Sequence, residues 1–317
     1  MPEVESRVGA NTVDQVLAEF DDRRNHFASI CKDTKRLIEK ILEQRKVSFQ
    51  SVQARVKARE KLKTKYCNPE KDYKRLDDIP DLVGLRIITY YSDKIDQIAA
   101  IIAGEFSQLG DPEDKRTGKP DTFGYSGIHH DCAYSAARLE RTEYEQFADA
   151  RFEIQVTTIL GHAWAEMHHP WYDDLNSPAE EIRRFHRLAA VLELAEQEFL
   201  EIRKKKDNRE RIASVRVAAK APEIPITPES LRAFVEDEAV AALNDRLATI
   251  LGGTISKGIP EMGKSAALAI EAGMPTIQAL EDNLGVWNDA ILDFVTRSVP
   301  IWNAVRPEGP RSVSVID

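Results

Sequence analysis

Two acids and a run of cations carry the chemical potential of this chain. Asp81 lies just before a stretch of strand character, and Glu153 opens or sits within another. If those strands are neighbours, the two carboxylates converge and can share one divalent cation. Upstream, Arg55, Lys57, Arg59, Lys61, Lys63 and Lys65 recur at every second position. Read as a helix from Val52 to Lys65, they form two stripes at four-residue spacing, one through Arg55, Arg59 and Lys63 and one through Lys57, Lys61 and Lys65. Transfer of a phosphoryl or pyrophosphoryl group asks mainly for positioning and charge neutralisation, so acids for Mg²⁺ beside cations for a phosphate chain are suitable parts. The same residues also suit plainer roles: N-caps or surface acids, and a solvated helix face. Tyr125 and His129 share a face with Gly127 if their segment is extended, and they equally fit a packed, hydrogen-bonded strand.

Three strings decide among these readings: Asp81-Leu82-Val83-Gly84-Leu85-Arg86, Gly124-Tyr125-Ser126-Gly127-Ile128-His129 and Glu153-Ile154-Gln155-Val156. In this order, downstream of the basic stretch, they resemble the RelA/SpoT-type alarmone synthetases, over about Gln50 to Tyr172. The resemblance implies a nucleotidyltransferase-like fold and transfer of pyrophosphate from ATP to the 3′-hydroxyl of GDP or GTP with Mg²⁺. It makes Asp81 the metal-binding acid and Glu153 the residue that binds metal or activates the acceptor hydroxyl. Arg55, Lys57, Arg59 and Lys65 fall to the ATP phosphates, and Arg86 to the donor nucleotide. Tyr125 would stack on the acceptor base, with His129, Gln155, His162 and Lys119 on the same acceptor side. Two positions depart from the pattern: Lys61 stands where a serine is usual and Thr157 where an arginine is frequent. The dipeptide His130-Asp131 invites comparison with metal-dependent phosphohydrolases, but the further spaced His and Asp ligands are missing.

The elements that must position these groups follow from periodicity. Val16, Leu17, Phe20, Phe27, Ile30, Leu37 and Ile41 recur at helical spacing, predicting one or two amphipathic helices from Thr12 to about Ile41. Strands are predicted at Gly84–Tyr91, Ile128–Tyr134 and Phe152–Thr157, and a helix from Lys94 to about Phe106. Gly110–Phe123 reads as a loop and Ala136–Ala148 as a turn or short helix. Helices follow from Ile159 to about His168, ended by Pro170, and from Pro178 to about Arg211. The expected class is α+β, a mixed sheet flanked by helices, followed by a helical C-terminal domain. The expected divisions are N-terminal helices over 1–48, a synthetase domain with a trailing helix over 49–217, a linker over 218–228, and a helical regulatory or oligomerisation domain over 229–317. Within the last, helices are predicted over Glu229–Leu251 and Ala266–Arg297, broken near Gly252-Gly253 and Gly273–Pro275.

With 317 residues, 42% apolar and 31% charged, the chain fits a globular protein of about two domains. No signal-like start and no long apolar run stand out, so a cytoplasmic protein without membrane contact is expected. Cys31, Cys67 and Cys132 are odd in number and far apart, which predicts reduced thiols rather than a disulfide framework. The formal charge of −9 conceals an uneven distribution: residues 55–75 hold nine Lys or Arg against three acids, and 203–220 hold eight against two. Residues 221–300 reverse this, with twelve acids against five bases. Local field outweighs net charge for a phosphate ligand. Three functions stay open: an alarmone synthetase, a toxic relative acting on the tRNA 3′ CCA end through the basic run at Arg203-Lys204-Lys205-Lys206, and a non-catalytic nucleotide-binding regulator. The C-terminal helices add a possible homo-oligomer contact.

Overall fold

The computed structural model describes residues 11–116, 127–172, 178–251 and 261–305. The chain divides into two compact units, one ending at Leu200 and one beginning at Glu201.

The first unit is built on a mixed sheet. One long helix, α1 (Val13–Gln44), opens it, its N-terminus closed by reciprocal bonds between Thr12 and Gln15. Its buried positions, among them Val16, Leu17, Phe20, Phe27, Ile30, Ile38 and Leu42, form one apolar stripe. Strand β1 (Ser51–Val56) and helix α2 (Arg59–Tyr66) follow, then a 3₁₀ turn at Leu76–Asp78. β2 (Val83–Thr89), α3 (Asp93–Glu105), β3 (Phe106–Gln108), the short β4 (Glu113–Asp114) and β5 (Gly127–Tyr134) come next. After the single turns α4 (Ala136–Leu139) and α5 (Thr142–Glu145), β6 (Arg151–Thr158) leads into α6 (Ile159–Tyr172) and α7 (Ala179–Ala218). The sheet order is β1-β2-β6-β5-β3, with β4 also on β5; β2 and β6 run parallel and the other pairs antiparallel.

Strand alternation gives this sheet two different faces. Val52, Ile87, Val156 and Ile128 cross it on one rung, and Ala54, Leu85, Ile154 and His130 on the next. This face joins α1 and α3 in a single core with Phe106, Tyr134, Phe147 and Phe152. Phe152 meets Phe106 edge-on at 5.5 Å and Tyr134 at 5.2 Å, and the buried Tyr134 hydroxyl pairs with Thr34 at 2.6 Å. The other face carries the polar residues.

The basic stretch is not one helix. Ser51-Val52-Gln53-Ala54-Arg55-Val56 alternates in a period of two, and pairing with β2 satisfies its backbone, so Val52–Val56 is strand and the helix starts only at Arg59. Arg55 and Arg59 therefore share no helix face. α6 continues through Pro170 instead of ending at His168. α7 reaches Ala218, beyond the expected Arg211.

Among the described residues the second unit contains the end of α7 and four helices: α8 (Pro228–Val235), α9 (Glu238–Leu251), α10 (Met262–Glu271) and α11 (Ile277–Val305). The predicted helix over Glu229–Leu251 is two, parted at Glu236-Asp237. The break at Gly273–Pro275 is present, with Gly273 in the left-handed region at φ 82°. Gly252-Gly253 lies outside the described residues. The stretch 219–227 is not a free tether: Ile224 and Ile226 are buried with Leu231, Phe234, Met262 and Ile277, and Ile226 N donates to Pro275 O. Among the described residues no helix is long and apolar enough to cross a membrane.

Candidate functional site

On the polar face of the first unit, register alone assembles the site. Gln53, Arg86, Gln155 and His129 stand on one rung across β1, β2, β6 and β5, and Arg55, Gly84, Glu153 and Asp131 on the next. Asp81 lies just before β2, and Lys57 just after β1, where its N–H continues the ladder to Leu82 O. All of these groups but His129 and Asp131 line a cleft of about 260 Å³, joined by Lys61 from α2 and Glu166 from α6. Gly84 opens its floor: a Cβ there would lie 3.9 Å from Arg55 Cγ, in space now left to the cleft.

Asp81 sits between two lysines. Lys57 Nζ is 2.6 Å from its Oδ2 and Lys65 Nζ 2.9 Å from its Oδ1. Burial opposes ionisation of Asp81, but the hydrogen bonds and charges of Lys57 and Lys65 outweigh it and hold the carboxyl below its usual range. Burial lowers the Lys57 ammonium despite its acid partner, whereas Asp81 outweighs burial at Lys65 and raises it. Glu153 has both oxygens engaged, Oε1 with His129 Nδ1 at 2.8 Å and Oε2 with Gln155 Nε2, which donates at 2.7 Å. Burial pushes this carboxyl up, and the bonds from His129 and Gln155 bring it below its usual range. Asp131, opposite Glu153 on β5, goes the other way: burial, then the like charge of Glu153, raises it.

Arg86 fans across the second strand–helix junction. Its Nε donates to Gln155 Oε1 at 3.1 Å, and its Nη1 meets His162 Nδ1 at 2.8 Å and Glu166 Oε1 at 2.7 Å. These partners depend on α6 being fixed at its start. Gly161 N donates to Thr158 Oγ1 at 2.9 Å, and that hydroxyl donates to the half-buried Glu196 of α7. Trp164 packs edge-on against Phe185, a structural use of that indole.

The fold thus brings together Asp81, Glu153, Arg55, Lys57, Lys65, Arg86, His129, Gln155 and His162. Arg59 is elsewhere, paired at 3.0 Å with Asp21 of α1. Lys119 and Tyr125 lie outside the described residues. Thr157, on the same strand as Glu153, is fully buried. His130 and Asp131 project to opposite faces, His130 into the core with Nδ1 2.9 Å from Gln108 Oε1. Sequence reasoning missed Gln53, Asp131 and Glu166. A strand reading of Ser51–Val56 would have exposed Gln53, the i+2 step from His129 marks Asp131, and the i+4 step from His162 marks Glu166.

Among the described residues no three His, Cys, Asp or Glu side chains gather closely enough to hold a metal ion. Two ionised carboxylates nonetheless suit Mg²⁺, which is commonly bound by one or two carboxylates plus substrate phosphates. The lowered carboxyls also set a pH dependence. Asp81 and Glu153 contribute stability above the ordinary carboxylate range, lost as pH falls through their depressed folded values. Asp131 contributes with the opposite sign: its raised folded value gives stability present in acid and lost as pH rises through it. Asp131→Asn is therefore expected to melt higher than the parent at pH 7, with the gap closing toward acid. A lower melting temperature at pH 7 would contradict this electrostatic picture.

Residues 54–176 match the family described as the region found in RelA / SpoT proteins. No curated protein matches the chain in sequence. Among solved structures, small alarmone synthetase 1 from Bacillus subtilis aligns with a TM-score of 0.51 at 19% identity, covering 60% of this chain and 98% of that one. A GTP pyrophosphokinase family protein from Streptococcus pneumoniae aligns with a TM-score of 0.49 at 21% identity over 60% of this chain and 96% of that one. Small alarmone synthetase 2 from Bacillus subtilis gives 0.45 at 23% identity, over 61% and 98%.

Proposed function

We propose that the chain, whose residues 54–176 match the region found in RelA / SpoT proteins, is an ATP-dependent pyrophosphokinase acting on the 3′-hydroxyl of GDP or GTP. The observation that carries the reading is the cluster of Asp81 between Lys57 and Lys65, beside an ionised Glu153 on the neighbouring strand. A polyphosphate needs cations whose acid partners can turn to a metal, and this cluster offers both.

In the proposed reaction the acceptor 3′-oxygen bonds to the β-phosphorus of ATP. The bond between that phosphorus and the α–β bridging oxygen breaks, and AMP leaves with the electron pair. The hydroxyl proton passes to Glu153, which His129 and Gln155 orient. Lys57 and Lys65 bind the phosphate chain, and Arg55 and Arg86, the latter fixed by Gln155 and His162, face the donor nucleoside. Mg²⁺, when bound, neutralises and aligns the phosphates, and Asp81 and Glu153 are the residues that would hold it. His129, His162 and, from the sequence, Tyr125 and Lys119 are assigned to the acceptor.

The tRNA alternative draws less support. Arg203, Lys204 and Lys206 pair along their own helix with Asp207, Glu201 and Glu210, and Arg209 with Glu229, so acids offset much of that charge. Incubation with γ-labelled ATP and, separately, GDP, GTP or total tRNA tests the assignment. Label is expected on the guanine nucleotides; label on tRNA alone would favour the alternative, and none on any acceptor would favour a nucleotide-binding regulator.

A further inference from the structure

Glu166 has no place in the chemistry just described, yet it lines the cleft and is more than half exposed there. It holds Arg86 at 2.7 Å, lies 3.8 Å from His162, and feels the charge of Arg55. Arg55 and Arg86 come from adjacent strands on the same sheet face, with Gly84 opposite the first and two residues before the second. No side chain at residue 84 intrudes on the floor there. Two planar guanidinium groups over an open floor suit a flat aromatic ring, since guanidinium stacks on such faces. A base there would turn an edge toward α6, where the Glu166 carboxylate sits.

We propose that Glu166 reads the donor base, selecting a purine with an amino group at C6 over one with an oxygen there. The inference rests on the pyrophosphokinase reading above and adds the group that makes the donor ATP. An ionised carboxylate only accepts hydrogen bonds. The 6-amino group of adenine donates one at that position, whereas the 6-oxo group of hypoxanthine or guanine is an acceptor there and leaves only the neighbouring N1–H to donate. Burial raises the Glu166 carboxyl, but the Arg86 bond outweighs it and keeps the group ionised at neutral pH. A site built to bond a substrate N–H rejects the analogue lacking it far more strongly than an apolar pocket rejects a misfit.

The test compares [γ-³²P]ATP with [γ-³²P]ITP as donor at saturating GDP, counting label on the guanine product, in the parent, Glu166→Gln and Glu166→Ala. The parent is expected to favour ATP by about tenfold or more in kcat/KM. In Glu166→Gln, whose amide both donates and accepts, ATP use falls, ITP use rises and the ratio approaches one. A purely structural ion pair would lower both donors alike. An unchanged ratio in both variants, with folding verified by circular dichroism, overturns the inference, as does a parent without preference. Equilibrium binding of ATP and ITP without acceptor separates the two claims. ATP preference lost in Glu166→Gln, without any transfer in the parent, would uphold the base reading and sink the pyrophosphokinase reading. Absence of binding by either nucleotide would overturn both.

Discussion

Glu153→Gln is expected to lower turnover by about 10²-fold or more, in a protein that remains folded. Glutamine keeps the shape and can still meet His129 and Gln155, the partners of both Glu153 oxygens. It cannot take the acceptor proton or hold a cation. Asp81→Ala is expected to lose about as much, because the anion between Lys57 and Lys65 disappears. That variant also leaves two part-buried lysines without their acid, so its folding needs separate verification. Initial rates at saturating ATP and acceptor, alongside circular dichroism, decide the matter. Near-parental rates in both folded variants would remove these acids from the reaction.

Phe152→Ala is expected to cost about 3–5 kcal/mol of stability, the largest purely structural loss anticipated here. Phe152 is one residue from Glu153 but on the opposite face, 1% exposed and in edge contact with Phe106 and Tyr134. Truncation leaves a cavity bounded by rings that cannot close it. Urea unfolding measures the loss. A change below about 1 kcal/mol would mean that the sheet is not anchored through this aromatic cluster. The pair of substitutions tests the two faces of one strand separately, residue 153 for turnover and residue 152 for stability.

What was legible in the sequence follows the same division. The stripe of α1, the strands β2, β5 and β6, and the breaker near Gly273 announce themselves through local period and turn residues. Asp81, Glu153 and Arg86 each sit in a string whose spacing survives in the fold, and all three line the cleft. β1 was misread because Arg55, Lys57 and Arg59 fit a two-residue and a four-residue period equally well, and only pairing with β2, some 30 residues downstream, chooses between them. That error hid Gln53 and grouped Arg59 with cations it does not join. Glu166 and Asp131 were missed for a different reason: their neighbours are set by sheet order and by the seating of α6, neither of which a local pattern encodes. The burial of Ile224 and Ile226 in a proline-rich stretch likewise depends on α10 and α11, far along the chain.

If this cleft moves pyrophosphate as a unit from ATP to a guanine nucleotide, as proposed, the products of a single incubation record it. The most direct measurement follows ATP and GDP incubated with the purified chain and Mg²⁺, separating AMP, ADP and guanine products by ion-exchange chromatography. AMP is expected in equal amount with a guanine nucleotide that carries two added phosphates, and neither product with Glu153→Gln. Formation of ADP in place of AMP, or AMP without a more highly phosphorylated guanine product, would contradict the proposed transfer.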